Sequence, residues 1–265
     1  MSSFDRDGIK NILIVALSVC LVCSVIVSGA AVALKPAQSA NKALDRKQNI
    51  LRAAGLLPEG ASRDTQGRTV DELFEQFDVE AVDLATGEFT NAVDPASYDP
   101  LRAAKDPAQS RALSEDEDVA TLKRLENISL IYIVRDADGI DGVVLPVRGY
   151  GLWGTLYGYL ALDGDLETVR GLAFYEHKET PGLGGEVTNP SWKAQWIGVD
   201  LYDEDGMPAI DLVKTRSPEG SAAATHEVDA LSGATLTTRG VKNLIRFWTG
   251  EHGFGPTLAK LKESA

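Results

Sequence analysis

Asp229-Ala230-Leu231-Ser232-Gly233-Ala234-Thr235-Leu236-Thr237-Thr238-Arg239-Gly240 passes from small and hydroxyl-bearing residues into a run with helical spacing. Val241, Leu244, Ile245 and Trp248 stand at i, i+3, i+4 and i+7, so the spacing predicts a helix that buries this stripe in a core. Thr237 or Thr238 stands where an N-cap belongs, which places Thr235 just ahead of the helix N-terminus. Free backbone N–H groups and the positive end of the helix dipole favour a phosphate or another anion there, and Arg239 and Lys242 add positive charge. A plain turn and cap accounts for the same composition. These physical features alone leave both readings open.

Upstream, the pattern is that of sheet. Residues 155–162 and 168–175 flank Asp163-Gly164-Asp165 as a hairpin, and 128–134 and 142–147 form two more strands, the second interrupted by Pro146. The turn between them, Asp136-Ala137-Asp138-Gly139, resembles the opening of a calcium loop, but apolar Ile140 and the missing late Glu make it a solvated turn. Residues 79–84 and 88–93 bracket Ala85-Thr86-Gly87 as a further hairpin, and a short helix over 72–77 follows a Thr69 cap. Residues 94–118 carry Asp94-Pro95, Asp99-Pro100 and Asp106-Pro107 and end in four acids, which reads as a surface excursion or mobile linker. The fold class is α+β: a mixed, largely antiparallel sheet with helices packed against it.

A second constellation follows the 155–175 hairpin: Glu176-His177-Lys178-Glu179-Thr180-Pro181-Gly182-Leu183-Gly184-Gly185. Three glycines in four residues behind a proline give a fixed loop whose backbone can approach a flat ligand closely. Glu176, His177 and Glu179 also suggest a metal site, but their spacing fits no common zinc pattern.

The N-terminal part is of another kind. Residues 12–34 hold no charge and are rich in Ile, Leu, Val and Ala, long enough as a helix to cross a hydrocarbon core of roughly 30 Å. A cleaved signal peptide is the rival, with Arg6 and Lys10 ahead of the run and Ala31-Val32-Ala33 as a cleavage-like site. The run exceeds the roughly 7–15 residues of a signal core, which favours an uncleaved anchor. Cys20 and Cys23 both lie in it, as small apolar residues rather than half of a metal site. A helix over 37–54 continues beyond the span and stops at Gly55. The expected division is a tail over 1–11, a membrane helix over 12–34, a helical and hairpin region with its acidic excursion over 35–125, and the main domain over 126–265.

The 265 residues carry a net charge of −13, and the pI is near 4.7. Such an acidic excess argues against nucleic acid as a partner. No Gly-x-Gly-x-x-Gly opens a βαβ unit, so no dinucleotide site is expected, and no acid in the span could hold sodium.

The string Asp229-x-x-Ser232-Gly233-Ala234-Thr235 resembles the acceptor motif of flavin transferases, which attach FMN through its phosphate to the last threonine. Further motifs are Gly151-Leu152-Trp153-Gly154-Thr155-Leu156-Tyr157-Gly158, the Glu179-Thr180-Pro181-Gly182-Leu183-Gly184 loop, residues 49–56 and one N-terminal span. Taken together, the chain resembles the membrane-anchored NqrC family of the sodium-translocating NADH:quinone oxidoreductases. The loop is shared with the related flavin-carrying component of Rnf electron-transport complexes. The resemblance implies covalent FMN on Thr235, with Asp229, Ser232, Gly233, Ala234 and residues 179–184 as the cofactor site and Trp153, Tyr157, Trp192 and Trp196 as ring neighbours. It implies an electron relay to a quinone such as ubiquinone within a sodium-pumping complex (Na+-NQR), partnered by subunits A, B, D, E and F and matured by a flavin transferase. It places residues 12–34 in the bacterial inner membrane and the domain on the periplasmic side, although the positive charges after the span, Lys35, Lys42, Arg46 and Lys47, outnumber those before it and favour the inside. The alternatives are an Rnf-type relay and a cofactor-free tethered scaffold.

Overall fold

The computed structural model describes residues 8–137 and 139–264, so most of the predicted tail, with Arg6, and Asp138 of the predicted turn lie outside the described residues. Two compact units are present, Met1–Arg46 and Lys47–Ala265. The first consists of the apolar part of helix α1 (Ile9–Ala53), long and apolar enough to cross a membrane, with Ile12 to Leu34 exposing their large side chains. Cys20 and Cys23 are free and exposed on it. The helix stops at Gly55 with φ of 71°, where Leu56 N–H returns to Leu51 O.

The second unit is built on one antiparallel sheet. Helix α2 (Val70–Phe74) begins at a capping box between Thr69 and Glu72, two residues earlier than the sequence suggests, and gives way to β1 (Phe77–Asp83). Strand β2 (Glu88–Phe89) is only two residues long because pairing with β1 ends there. Helix α3 (Pro100–Ala103) and the small ladder of β3 (Ser110–Ala112) with β4 (Arg124–Glu126) come next. Strands β5 (Ile128–Asp136), β6 (Gly139–Tyr150), β7 (Thr155–Asp163) and β8 (Val169–Glu176) then run as a meander, giving the order β2-β1-β5-β6-β7-β8. Helix α4 (Pro190–Lys193), the parallel pair β9 (Asp211–Val213) and β10 (Glu227–Asp229), α5 (Thr235–Thr249) and α6 (Gly255–Ser264) complete the chain.

Alternation along the strands divides two cores. Val143, Leu145, Val147, Leu156, Leu160 and Leu162 face the layer containing α5 and α6, where Val241, Leu244, Ile245 and Trp248 are all fully buried. Leu130, Tyr132, Val144, Tyr159 and Ala161 face the other side, covered by Ile50, Leu51 and Leu73 from the end of α1 and from α2. The α+β expectation holds.

Two expectations are corrected. Pro146 does not interrupt its strand: β6 runs through it, because the β5 ladder reaches only Val144 and Pro146 lies where β6 pairs with β7 alone. Residues 94–118 are not a structureless linker. Each Asp-Pro pair closes a turn, with Asp94, Asp99 and Asp106 accepting from Ala96, Leu101 and Ala108 N–H, so residues that read as breakers are caps.

Candidate functional site

Three chain segments meet at one carboxyl group. Glu179, 5% exposed, accepts hydrogen bonds at Oε1 from Leu152 N–H (3.0 Å) and Trp153 N–H (2.9 Å), and at Oε2 from the Thr237 hydroxyl (2.6 Å). Leu152 and Trp153 sit in the turn after β6, closed by Gly151 N–H on Gly154 O. Glu179 belongs to the loop after β8, and Thr237 to the first turn of α5. One side chain thereby ties the turn, the glycine loop and the helix start.

Glycines make this approach possible. A Cβ on Gly151 would come 2.6 Å from Glu179 Oε1, and one on Gly184 would come 2.5 Å from Thr237 Oγ1. A Cβ on Gly240 would come 2.4 Å from Tyr150 O, so α5 lies directly on the end of β6. The loop itself turns at Gly182, with φ of 76°, and Thr180 O receives the N–H groups of Leu183 and Gly185.

The helix begins differently from the sequence expectation. Ala234 is the N-cap and makes no side-chain cap bond, so Thr235 is the first helical residue rather than one ahead of the helix. Neither Thr237 nor Thr238 caps. Thr237 is spent on Glu179, and Thr238 Oγ1 accepts from Leu231 N–H, both inside the packed first turn. Ser232, Gly233 and Thr235 are exposed, whereas Ala234 is buried. Gly233, with φ of 71°, faces Leu183, so the glycine loop and the Ser-Gly-Ala-Thr turn touch.

Asp229 stands at the end of β10, its carboxylate on Arg216 Nε at 2.8 Å and its carbonyl receiving Trp192 Nε1–H at 2.8 Å. Lys242 does not serve the helix start, because it pairs with Asp211 at 3.0 Å. Of the four suggested ring neighbours, Trp196 is fully buried and Trp192 nearly so, packed edge-on against each other as core. Tyr157 packs against Tyr175 with tilted rings. Trp153 is 63% exposed at the turn held by Glu179, and Leu152, Leu183 and Leu236 are also exposed. His177 Nδ1 accepts from Glu179 N–H, and no group of three or more metal-ligating side chains occurs among the described residues.

An ion pair with no sequence signature braces this arrangement. Arg148 of β6 is bidentate on Glu126, at 2.9 and 2.5 Å, with Glu126 only 1% exposed. The Arg148 guanidinium lies 5.0 Å from the Trp248 ring centroid, and Trp248 Nε1–H donates to Arg148 O at 2.7 Å, which fixes α5 on β6. Burial works against the charge of Arg148, and the Glu126 carboxylate more than offsets it, so Arg148 holds its proton more firmly than a free arginine.

The site fits a flat, phosphate-bearing group. An exposed hydroxyl opens a helix whose first turn holds no acidic residue, and the segments joined to it by Glu179 carry exposed apolar side chains over a braced floor.

Comparisons with known proteins agree with that geometry. Residues 151–250 match the FMN-binding domain family. The C subunit of the Na(+)-translocating NADH-quinone reductase of Pseudomonas aeruginosa is 52% identical over 260 residues, 98% of this chain and 98% of that protein. The protein of the same name from Vibrio vulnificus is 47% identical over the same shares. The crystal structure of Shewanella oneidensis NqrC superposes with a TM-score of 0.74 at 35% identity, covering 84% of this chain and 99% of that one. Kinship over the full length, not one motif, is what these matches establish: the chain belongs to the NqrC family of the Na(+)-translocating NADH-quinone reductases.

Proposed function

We propose that this chain is the membrane-anchored flavoprotein subunit of a sodium-pumping NADH:quinone oxidoreductase, relaying electrons through FMN held covalently on Thr235. The observation that carries the reading is the exposed Thr235 hydroxyl at the start of α5, on a turn joined through Thr237 and Glu179 to the glycine loop, all within the FMN-binding match. Full-length kinship with the quinone reductase subunit favours this complex over an Rnf-type one.

Attachment uses FAD and a flavin transferase. Thr235 Oγ attacks the phosphorus on the flavin side of FAD, forming the O–P ester as the P–O bond of the pyrophosphate bridge breaks. AMP leaves with the bridging oxygen, and the hydroxyl proton passes to a base on the transferase. Small neighbours at Ser232, Gly233 and Ala234 leave the hydroxyl accessible.

FMN, when bound, supplies a reversible store for electrons. The chain's own residues position it. Trp153, Leu152, Leu183 and Leu236 offer apolar contact to a ring, and the 179–184 loop, including Thr180, Pro181, Gly182 and Gly184, brings backbone to its edge. Asp229 holds the acceptor turn through Arg216, and Ser232, Gly233 and Ala234 shape it. Residues 12–34 lie in the inner membrane, with the domain on the periplasmic side among subunits A, B, D, E and F. Residues 126–265 form the FMN-binding part.

The test is turnover of the whole complex carrying Thr235→Ala. Electron flow from NADH to quinone should fall to background while NADH oxidation by an artificial acceptor at the entry subunit persists. Undiminished quinone reduction by a correctly assembled mutant complex would refute the relay role.

A further inference from the structure

The N-terminal turn of α5 holds an uncommitted cation. Three cationic side chains project from α5. Lys242 pairs with Asp211, and Arg246 donates to Ile210 O and Ala209 O. Arg239 is exposed, and among the described residues it has neither hydrogen bond nor ion pair. It stands four residues after Thr235 on the same helix, with side chains of such a pair roughly 5–6 Å apart at Cβ. An anion ahead of a cation at this spacing is the favourable order along a helix. The other charged groups near the acceptor turn are committed: Asp229 to Arg216, and Glu179 to two N–H groups and the Thr237 hydroxyl. Lys178 lays its stem along Gly154, across the turn after β6.

We infer that Arg239 is the charge partner of the phosphodiester formed on Thr235, a positioning residue that fixes the FMN phosphate against the first turn of α5. The inference rests on the proposed covalent attachment and adds a residue outside the acceptor motif. In an acidic chain of net charge −13, a further anion on the surface meets general repulsion, and one dedicated cation at i+4 offsets it locally. Without the phosphate, Arg239 stands near the positive end of the α5 dipole with no compensating acid in the first turn. Its benefit therefore belongs to the flavin-bearing state.

The test compares the full chain in detergent with and without attached FMN, as wild type, Arg239→Gln and Arg239→Lys. The rise in Tm that flavin attachment brings should shrink by about 1–3 °C in Arg239→Gln at low salt. Arg239→Lys should keep most of it, and 0.5 M salt should erase the difference between variants. The 31P resonance of the ester should shift in Arg239→Gln alone. An equal attachment effect in all three proteins, or an equal loss of Tm in both states of Arg239→Gln, overturns the inference while leaving covalent attachment intact. If wild type takes no flavin from a transferase that labels another acceptor, the functional reading and the inference fall together.

Discussion

Replacing Glu179 by alanine is expected to lower stability by about 3–5 kcal/mol and to strip most of the flavin from the chain. The change removes the acceptor of three donors at once. Thr237 is fully buried, so its hydroxyl loses a partner in a site that water does not reach, and the N–H groups of Leu152 and Trp153 lose theirs. Each unsatisfied buried donor costs about 1–3 kcal/mol. For a domain of this size the Tm should fall by roughly 10 °C. Glu179→Gln separates charge from geometry. The amide oxygen can still accept both N–H groups, and the Thr237 hydroxyl can reverse and accept from the amide nitrogen. Its cost should be only about 1 kcal/mol, with flavin largely retained. Denaturant unfolding and flavin-to-protein absorbance ratios read both variants. A glutamine variant as damaged as the alanine one would show that the negative charge, not the three-way tie, is what matters.

Glu126→Ala should be nearly as severe, at about 3–5 kcal/mol, because it leaves the Arg148 guanidinium buried without its carboxylate. The structural consequence reaches the site along a short path. Arg148 contacts Trp248 through both side chain and carbonyl, so a displaced Arg148 loosens α5 on β6, and Thr235 begins α5. A paired replacement, Glu126→Leu with Arg148→Met, removes both charges and should recover most of the loss, since buried pairs exchanged for apolar groups of similar volume are often neutral. Urea midpoints of the single and paired variants decide the matter. A paired variant as unstable as Glu126→Ala would mean that the ion pair itself, through Ser129 and Trp248, holds the sheet to the helix.

The parts legible in the sequence were those with strong period or composition. The i, i+3, i+4, i+7 stripe of α5 packs as its spacing requires, and the two hairpin strands β7 and β8 differ from expectation by a residue or so. The misreadings share a cause. A threonine near a helix start looks like a cap whatever its partner, and only the fold brings Glu179, 58 residues away, to Thr237. Asp-Pro pairs read as breakers because their local signal is the same in a loose linker and in a capped turn. Pro146 looked like an interruption because sequence does not say on which side a strand is paired. The Glu126–Arg148 pair left no trace at all: two charges 22 positions apart have no periodic signature. Among the aromatic residues, Trp196 and Trp192 went to the core and Trp153 to the surface of the site, a division set by packing rather than by residue type.

Covalent flavin on Thr235 is the central claim, and intact mass of the full chain co-expressed with a flavin transferase tests it most directly. Wild type should exceed its sequence mass by FMN less one water, with the added mass on the peptide containing residue 235, and Thr235→Ala should show the bare chain. Wild type without added mass beside a transferase shown to be active, or Thr235→Ala carrying the same adduct, would contradict it.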